Sequence, residues 1–83
     1  SEKPADQERV FFGAWVTLEN DAGEEKRYRI VGADEIDPTK GWISIDSPMA
    51  RALLKKGIDD DVRVATPQGE QELLVIDISY AEK

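Results

Sequence analysis

The sequence contains no cysteine and no histidine among its 83 residues. Without cysteine there is no disulfide framework and no thiolate nucleophile. Without histidine the chain lacks the commonest general base and a frequent metal ligand. Zinc sites built from cysteine and histidine, and Ser-His or Cys-His catalytic systems, are therefore excluded.

Long hydrophobic runs are also missing, since no segment approaches the ~20 apolar residues of a membrane span. The amino-terminal stretch SEKPADQERV is polar, so we expect neither a signal peptide nor a membrane partner. The 18 acidic and 11 basic residues leave a net charge of −7, which disfavours non-specific binding to nucleic acid. A chain of this length predicts one domain with a modest core and little room for a deep enzyme pocket.

Alternation of apolar and polar residues predicts strands along most of the chain. The first two strands, over 10–20 and 24–32, are joined by a turn that contains Gly23. A third strand is expected over 42–46 and a fourth over 62–66. The inward side chains predicted for the first strand are Phe12, Ala14, Val16 and Leu18.

The fifth strand begins at Gly69 and is apolar on both faces, which favours a central place in the sheet. One of its faces is predicted to carry Leu74, Ile76, Ile78 and Tyr80. The element order β-β-β-α-β-β contains no repeated βαβ unit. We therefore predict the α+β class: a twisted, mainly antiparallel sheet of about five strands with one short helix packed across it.

The helix has strong start and stop signals. Ser47 is a good N-cap residue, and Pro48 suits the first helical position, where its missing N–H costs nothing. Gly57 is expected at the residue just after the helix. The resulting nine-residue helix, over 48–56, is marginal by itself, so Leu53 must dock on the sheet.

Several clusters of charged or aromatic residues have simpler explanations than a site. The acidic runs over 34–37 and 59–61 do not follow the spacing of an EF-hand loop and are expected to be solvated surface. The basic residues are also expected on the solvent face: Arg27, Arg29, Arg51, Lys55 and Lys56. The few aromatic residues do not favour the aromatic pocket of a prolyl isomerase. We expect no metal and no cofactor.

The corner formed by residues 46–49 offers more than a helix cap requires. Capping needs only Ser47, whereas Asp46 adds a carboxylate beside the helix N-terminus. Pro48 and Met49 would form an apolar pair near the surface. One carboxylate beside an apolar anchor suits a protein-binding site. Both interpretations stay open on these residues alone, and Arg51 is a further candidate contact because it lies away from the apolar side of the helix.

Three long strings carry a family resemblance: VFFGAWVTLEND, RYRIVGADEID and ISIDSPMARALLKKG. They resemble the C-terminal domain of the GreA/GreB family of transcript cleavage factors, and within it the GreB branch. The final strand and the preceding TPQGE turn fit as well. The resemblance extends from about Val10 to Tyr80.

The resemblance implies an FKBP-like fold without isomerase activity, in the cytoplasm. Its partner would be bacterial RNA polymerase, contacted at the β′ coiled coil on the rim of the secondary channel. Nucleic acid would be met only indirectly, within that complex. Carried over to this sequence, the docking corner of the family is Asp46, Ser47 and Pro48.

The N-terminal coiled coil of the family, which carries the acidic tip that promotes cleavage of backtracked RNA, has no counterpart in this sequence. Residues 1–9 resemble the connector between the two domains, and residues 10–83 the C-terminal domain. We therefore predict a binding module and not an enzyme, either as part of a longer factor or as a truncated relative. The alternatives are a regulator that occupies the channel and blocks other factors, or a small prolyl isomerase.

Overall fold

A computed structural model describes residues 7–81. The five strands are β1 (Trp15–Glu19), β2 (Glu25–Val31), β3 (Trp42–Ser44), β4 (Asp61–Thr66) and β5 (Gly69–Ser79). The helix α1 (Pro48–Leu53) lies between β3 and β4, and two 3₁₀ turns, 33–35 and 38–40, lie between β2 and β3. The strands form one sheet in the order β3-β2-β1-β5-β4. Only β2 and β3 pair in parallel, so the predicted α+β class, mainly antiparallel, is confirmed.

The turn between β1 and β2 is built by Asn20. Its side-chain oxygen accepts hydrogen bonds from the backbone N–H groups of Ala22 and Glu24, each at 2.9 Å. Gly23 follows in the left-handed region with φ +83, a conformation that glycine adopts at little cost. The predicted hairpin is therefore present, and its turn is closed by local hydrogen bonds.

The fifth strand pairs with β1 on one side and with β4 on the other, as its apolar character predicts. The prediction of its buried face was partly wrong, because a β-bulge interrupts the pairing with β1. Val75 pairs with Leu18 and Asp77 pairs with Thr17, so Ile76 is the extra residue. The bulge reverses the alternation of inward and outward side chains along β5. Odd-numbered residues lie inward before the bulge, and even-numbered residues lie inward after it.

The core lies on the face of the sheet that α1 covers. Its buried members are Val10, Ala14, Val16, Leu18, Ile30, Ala50, Leu53, Val62, Val64, Leu73, Val75 and Tyr80. Phe12 was expected among them but is 47% exposed. Strand β1 starts only at Trp15, and Gly13 has φ +88, so strand alternation does not extend back to residue 12.

The helix is shorter than predicted and ends for a different reason. It spans six residues, and Leu54 is its C-cap with φ −55 and ψ 133, outside the helical region. The residue in the left-handed region is Lys55, with φ +72, so the assignment of Gly57 as the helix stop was wrong. The Lys55 N–H donates to the Val10 carbonyl at 2.8 Å, and this long-range bond draws the chain away from the helical path.

The segment around Val10 is held by the loop after α1 and by Tyr80 near the C-terminus. The Val10 N–H donates to the Lys56 carbonyl at 2.9 Å. The Tyr80 hydroxyl donates to the Arg9 carbonyl at 2.6 Å and accepts from the Phe11 N–H at 2.9 Å.

Residues 1–6 of the predicted connector lie outside the described residues, and so do the last two residues of the predicted domain, 82 and 83. Within 7–81, no helix has the length and apolar character that a membrane span requires.

Candidate protein-docking site

The corner between β3 and α1 is built on Ser44. Its hydroxyl oxygen accepts a hydrogen bond from the Asp46 N–H at 3.0 Å. Its carbonyl accepts two bonds from Ser47, one from the N–H at 2.9 Å and one from the hydroxyl at 2.7 Å. These bonds end β3 at Ser44, two residues earlier than predicted, and hold Asp46 in a fixed turn.

The helix starts as the sequence predicts. Ser47 has the extended conformation of an N-cap, and its hydroxyl oxygen accepts from the Ala50 N–H at 3.1 Å. Pro48 occupies the first helical position. Ala50 and Leu53 are fully buried, so the side of α1 that faces the sheet anchors the corner to the core.

The predicted docking residues lie together but differ in exposure. Asp46, Pro48 and Arg51 are exposed, Ser47 is partly buried, and Met49 is half-buried against the core. Over residues 7–81 the structure gives neither the Asp46 carboxylate nor the Arg51 guanidinium a hydrogen-bonding or ionic partner. The corner therefore presents a charged oxygen pair to solvent from a backbone that is already ordered.

Next to the corner is a groove of about 390 Å³ that sequence analysis did not predict. Leu18, Tyr28 and Leu73 contribute from the sheet, and Met49 contributes from α1. The tip of the β4–β5 hairpin, with Pro67 and Gln68, closes one side. The strand alternation predicted Leu18 as an inward side chain, and only the tertiary arrangement leaves a gap between it and the other groove residues. Met49 links the groove to the corner.

The acidic runs build turns. The Asp37 carboxylate accepts from the hydroxyl of Thr39 at 2.6 Å and from its N–H at 3.1 Å. The hydrogen bond from the Thr39 side chain is the main reason that the pKa of Asp37 lies below its ordinary value. In the other run, the Asp60 carboxylate accepts from the Gly57 N–H at 2.7 Å. No group of three or more potential ligands within 7–81 is arranged to hold a metal ion.

The basic residues do not form one patch. Arg27 and Arg29 lie on the outer face of β2, over the ring of Trp15, whereas Arg51 belongs to the helix on the other face of the sheet. Lys55 and Lys56 follow in the loop after the helix. These five residues therefore form no joint basic site, in line with the expectation of ordinary surface. Arg27 and Arg29 do have specific aromatic contacts.

The chain is similar to a known protein family and to solved structures. The family described as "Transcription elongation factor, GreA/GreB, C-term" matches residues 4–80. The chain belongs to the GreA/GreB family. Transcription elongation factor GreB of Pasteurella multocida (strain Pm70) is 62% identical over 77 residues, and GreB of Haemophilus influenzae is 61% identical over 77 residues. The predicted resemblance to the family's C-terminal domain is thus confirmed.

A solved GreA/GreB relative supports the fold. The crystal structure of GreA factor homolog 1 (Gfh1) of Thermus thermophilus superposes with a TM-score of 0.78 at 31% sequence identity. It covers 94% of this chain, while this chain covers 53% of it. The chain likewise spans 49% of the length of each of the two GreB relatives. The similarity therefore concerns one domain of proteins that are about twice as long.

Proposed function

We propose that this chain is the RNA polymerase-docking domain of a GreA/GreB transcription elongation factor. The contact would be made by the corner Asp46-Ser47-Pro48, with Met49 and Arg51 beside it, on the β′ coiled coil at the rim of the secondary channel. The observation that carries the proposal is the exposed Asp46 carboxylate, which no group within residues 7–81 neutralises and which projects from a hydrogen-bonded backbone turn. Family membership supplies the polymerase as partner.

The geometry suits recognition of a partner protein. Because the Asp46 backbone is already ordered, little conformational entropy is lost when its carboxylate accepts a charged hydrogen bond from an arginine or lysine. Pro48 adds a rigid apolar surface at the first helical position. The groove beside Met49 also has polar lining residues, among them Glu24 and Lys26, so it can accept a side chain with an apolar stem and a polar end from the same partner. A charged contact beside a groove with a mixed polar and apolar lining suits a protein interface, in which a few anchored side chains contribute most of the binding energy.

We assign the domain a binding role without catalysis of its own, in the cytoplasm and without a cofactor. In this proposal the N-terminal coiled-coil domain of the family carries the groups that promote RNA cleavage, and this C-terminal domain positions it. Nucleic acid is contacted only through the polymerase complex. The groove does not favour a prolyl isomerase, since Tyr28 is its only aromatic lining residue within 7–81 and both tryptophans lie elsewhere.

The site assignment is tested by the affinity of the purified chain for bacterial RNA polymerase. Asp46→Asn and Pro48→Ala should each weaken binding, and Asp46→Asn by about tenfold, which corresponds to ~1.4 kcal/mol. Asp77→Asn is the matched control, because it removes an exposed carboxylate from β5, away from the corner. Equal affinity of wild type and both corner variants, with unchanged thermal unfolding, would refute the assignment.

The division of labour between domains is tested by transcript cleavage in backtracked complexes. The chain alone should not stimulate cleavage, and it should compete with a full-length GreB for the polymerase. Stimulated cleavage would contradict the assignment of catalysis to the coiled coil. A chain that binds and also displaces unrelated channel-binding factors would support the alternative of a blocking regulator.

A further inference from the structure

The outer face of the sheet carries a continuous series of five side chains, here called the Trp–Arg ladder. The Arg27 guanidinium carbon lies 4.3 Å from the ring centre of Trp15. Arg29 lies between the two indoles, 6.0 Å from Trp15 and 5.6 Å from Trp42. The Lys40 ammonium is 4.8 Å from the Trp42 ring. Three cations therefore alternate with both tryptophans of the sequence.

The sheet register builds this ladder. Trp15 of β1 pairs with Arg29 of β2, and Arg29 pairs with Trp42 of β3, so the three side chains form one row across the sheet. Gly41 lets the turn that carries Lys40 approach β2. Its φ is +78, and a Cβ atom at this position would lie 2.8 Å from the Arg27 carbonyl oxygen. Glycine is therefore required for Lys40 to reach the second indole.

The ladder is separate from the docking corner. The neighbouring residues Val16, Ile30 and Ile43 pack in or against the core, so strand alternation places Trp15, Arg29 and Trp42 on the opposite face. The helix α1 lies on the core side, since Ala50 and Leu53 belong to the core. A partner on the ladder would therefore approach the sheet from the side opposite to the helix.

Packing alone leaves one feature of the ladder unexplained. Trp15 is only 6% exposed, and its indole Nε1–H is the one buried side-chain polar atom within residues 7–81 that has no hydrogen-bond partner. Buried polar side-chain atoms are usually paired, so an exception merits an explanation. Arg27 and Lys40 are exposed, yet each lies against an indole ring. Solubility of this acidic chain does not require such aromatic contacts, because an exposed cation is already solvated.

We propose that the Trp–Arg ladder binds a short acidic segment of a partner protein. The Arg27 guanidinium lies 4.3 Å from the Trp15 ring centre and is exposed, and the N–H groups of a guanidinium match the two oxygens of a carboxylate. Arg29 is oriented by its Nε–H, which donates to the Gly13 carbonyl at 3.3 Å. Arg27 and Lys40 flank it from the two ends of the ladder and supply the exposed positive charge.

The size and surroundings of the ladder favour a short acidic peptide over a nucleic acid. It crosses three strands, which corresponds to roughly 10 Å, or about three residues of an extended chain. Asp77 of β5 pairs with Thr17 of β1, and Thr17 pairs with Arg27 of β2. The Asp77 carboxylate is therefore on the same face of the sheet as Arg27, two strands away. Glu25 precedes Arg27 by two residues, on the same face of β2. Together with the net charge of −7, these carboxylates would repel a long polyanion.

The proposal is tested by tryptophan fluorescence, because both tryptophans of the chain belong to the ladder. Hexaglutamate is titrated into the full chain, with uridylate hexanucleotide and a neutral Gly-Ser hexapeptide as separate titrations. We expect a saturable emission change with hexaglutamate only. The double variant Arg27→Gln/Lys40→Gln should raise its Kd about tenfold, as expected for the loss of two exposed ion pairs.

The matched control is Lys26→Gln/Arg63→Gln, which removes the same charge from two exposed positions outside the ladder. It should change the Kd by less than about twofold, since screening weakens distant charges. Thermal unfolding of both double variants checks that the fold is kept. The proposal is overturned if hexaglutamate gives no saturable change, if the control weakens binding as much as the ladder variant, or if the uridylate binds more tightly than hexaglutamate.

Discussion

The Ser47 hydroxyl makes two hydrogen bonds that join β3 to α1, so Ser47→Ala should destabilise the domain without removing the Asp46 carboxylate. The hydroxyl accepts from the Ala50 N–H at 3.1 Å and donates to the Ser44 carbonyl at 2.7 Å. Alanine can do neither. The substitution thus tests the structural role of Ser47 while the Asp46 carboxylate of the proposed contact stays in place.

The magnitude follows from these two bonds. Loss of an N-cap acceptor typically costs ~1 kcal/mol. Loss of the second bond costs up to ~1 kcal/mol, and the cost is reduced because the Ser44 carbonyl keeps its bond from the Ser47 N–H. The expected loss in the free energy of unfolding is therefore about 1–2 kcal/mol. For a domain of this size, that corresponds to a fall in Tm of about 5–15 °C.

The assay is thermal unfolding followed by circular dichroism, with urea titration as a second measure of the free energy of unfolding. Ser79→Ala is the matched control, because the Ser79 hydroxyl oxygen accepts one bond, from the Ala81 N–H at 3.2 Å, at an exposed position. Its Tm should fall by less than about 3 °C, since surface substitutions usually change stability little. Asp46→Asn should also melt close to wild type.

The reasoning would be refuted if Ser47→Ala melted within a degree or two of wild type, or if Ser79→Ala were equally destabilised. In the first case the hydrogen bonds of the corner would not stabilise the helix start, and in the second the loss of stability would not be specific to the corner. A stable Ser47→Ala variant with weakened polymerase binding would instead show that Ser47 contacts the partner directly.

Three further predictions concern the core, a turn and an acidic loop. Leu53 is fully buried, so Leu53→Ala should lower the free energy of unfolding by about 2–5 kcal/mol in urea titration. Gly41→Ala should lower Tm more than Gly23→Ala: both glycines have positive φ, but only at Gly41 would a Cβ meet a backbone oxygen, at 2.8 Å. The pKa of Asp37 is lowered chiefly by the Thr39 hydroxyl, so its contribution to stability is present at neutral pH and is lost as the pH falls through that lowered pKa. Thr39→Val should raise the pKa of Asp37 toward its usual value in a carboxyl NMR titration, and an unchanged pKa would contradict this cause.

The start of α1 could be predicted from the sequence, whereas its end could not. The N-cap bond joins Ser47 to a residue three positions away, so the chemistry of this short segment decides it. The end depends on the bond between the Lys55 N–H and the Val10 carbonyl, which joins residues far apart in the chain. A glycine at position 57 was therefore a misleading stop signal.

The faces of β5 show the same distinction. Alternation predicted an apolar strand in the sheet interior, and this is confirmed. The bulge at Ile76 results from the register between β1 and β5, which are far apart in sequence, and it changes which side of the strand is buried. The groove beside Met49 arises in the same way, from the distances between elements that pack together.

The sequence by itself determined the classes of chemistry that are excluded, the order of elements, the helix start and the family. Each of these depends on residue type or on contacts within a few positions, which a linear sequence displays directly. Tertiary structure alone decided the length of α1, the bulge in β5, the groove next to the corner and the Trp–Arg ladder. These features depend on pairing between distant segments, and no local pattern of residues specifies that pairing.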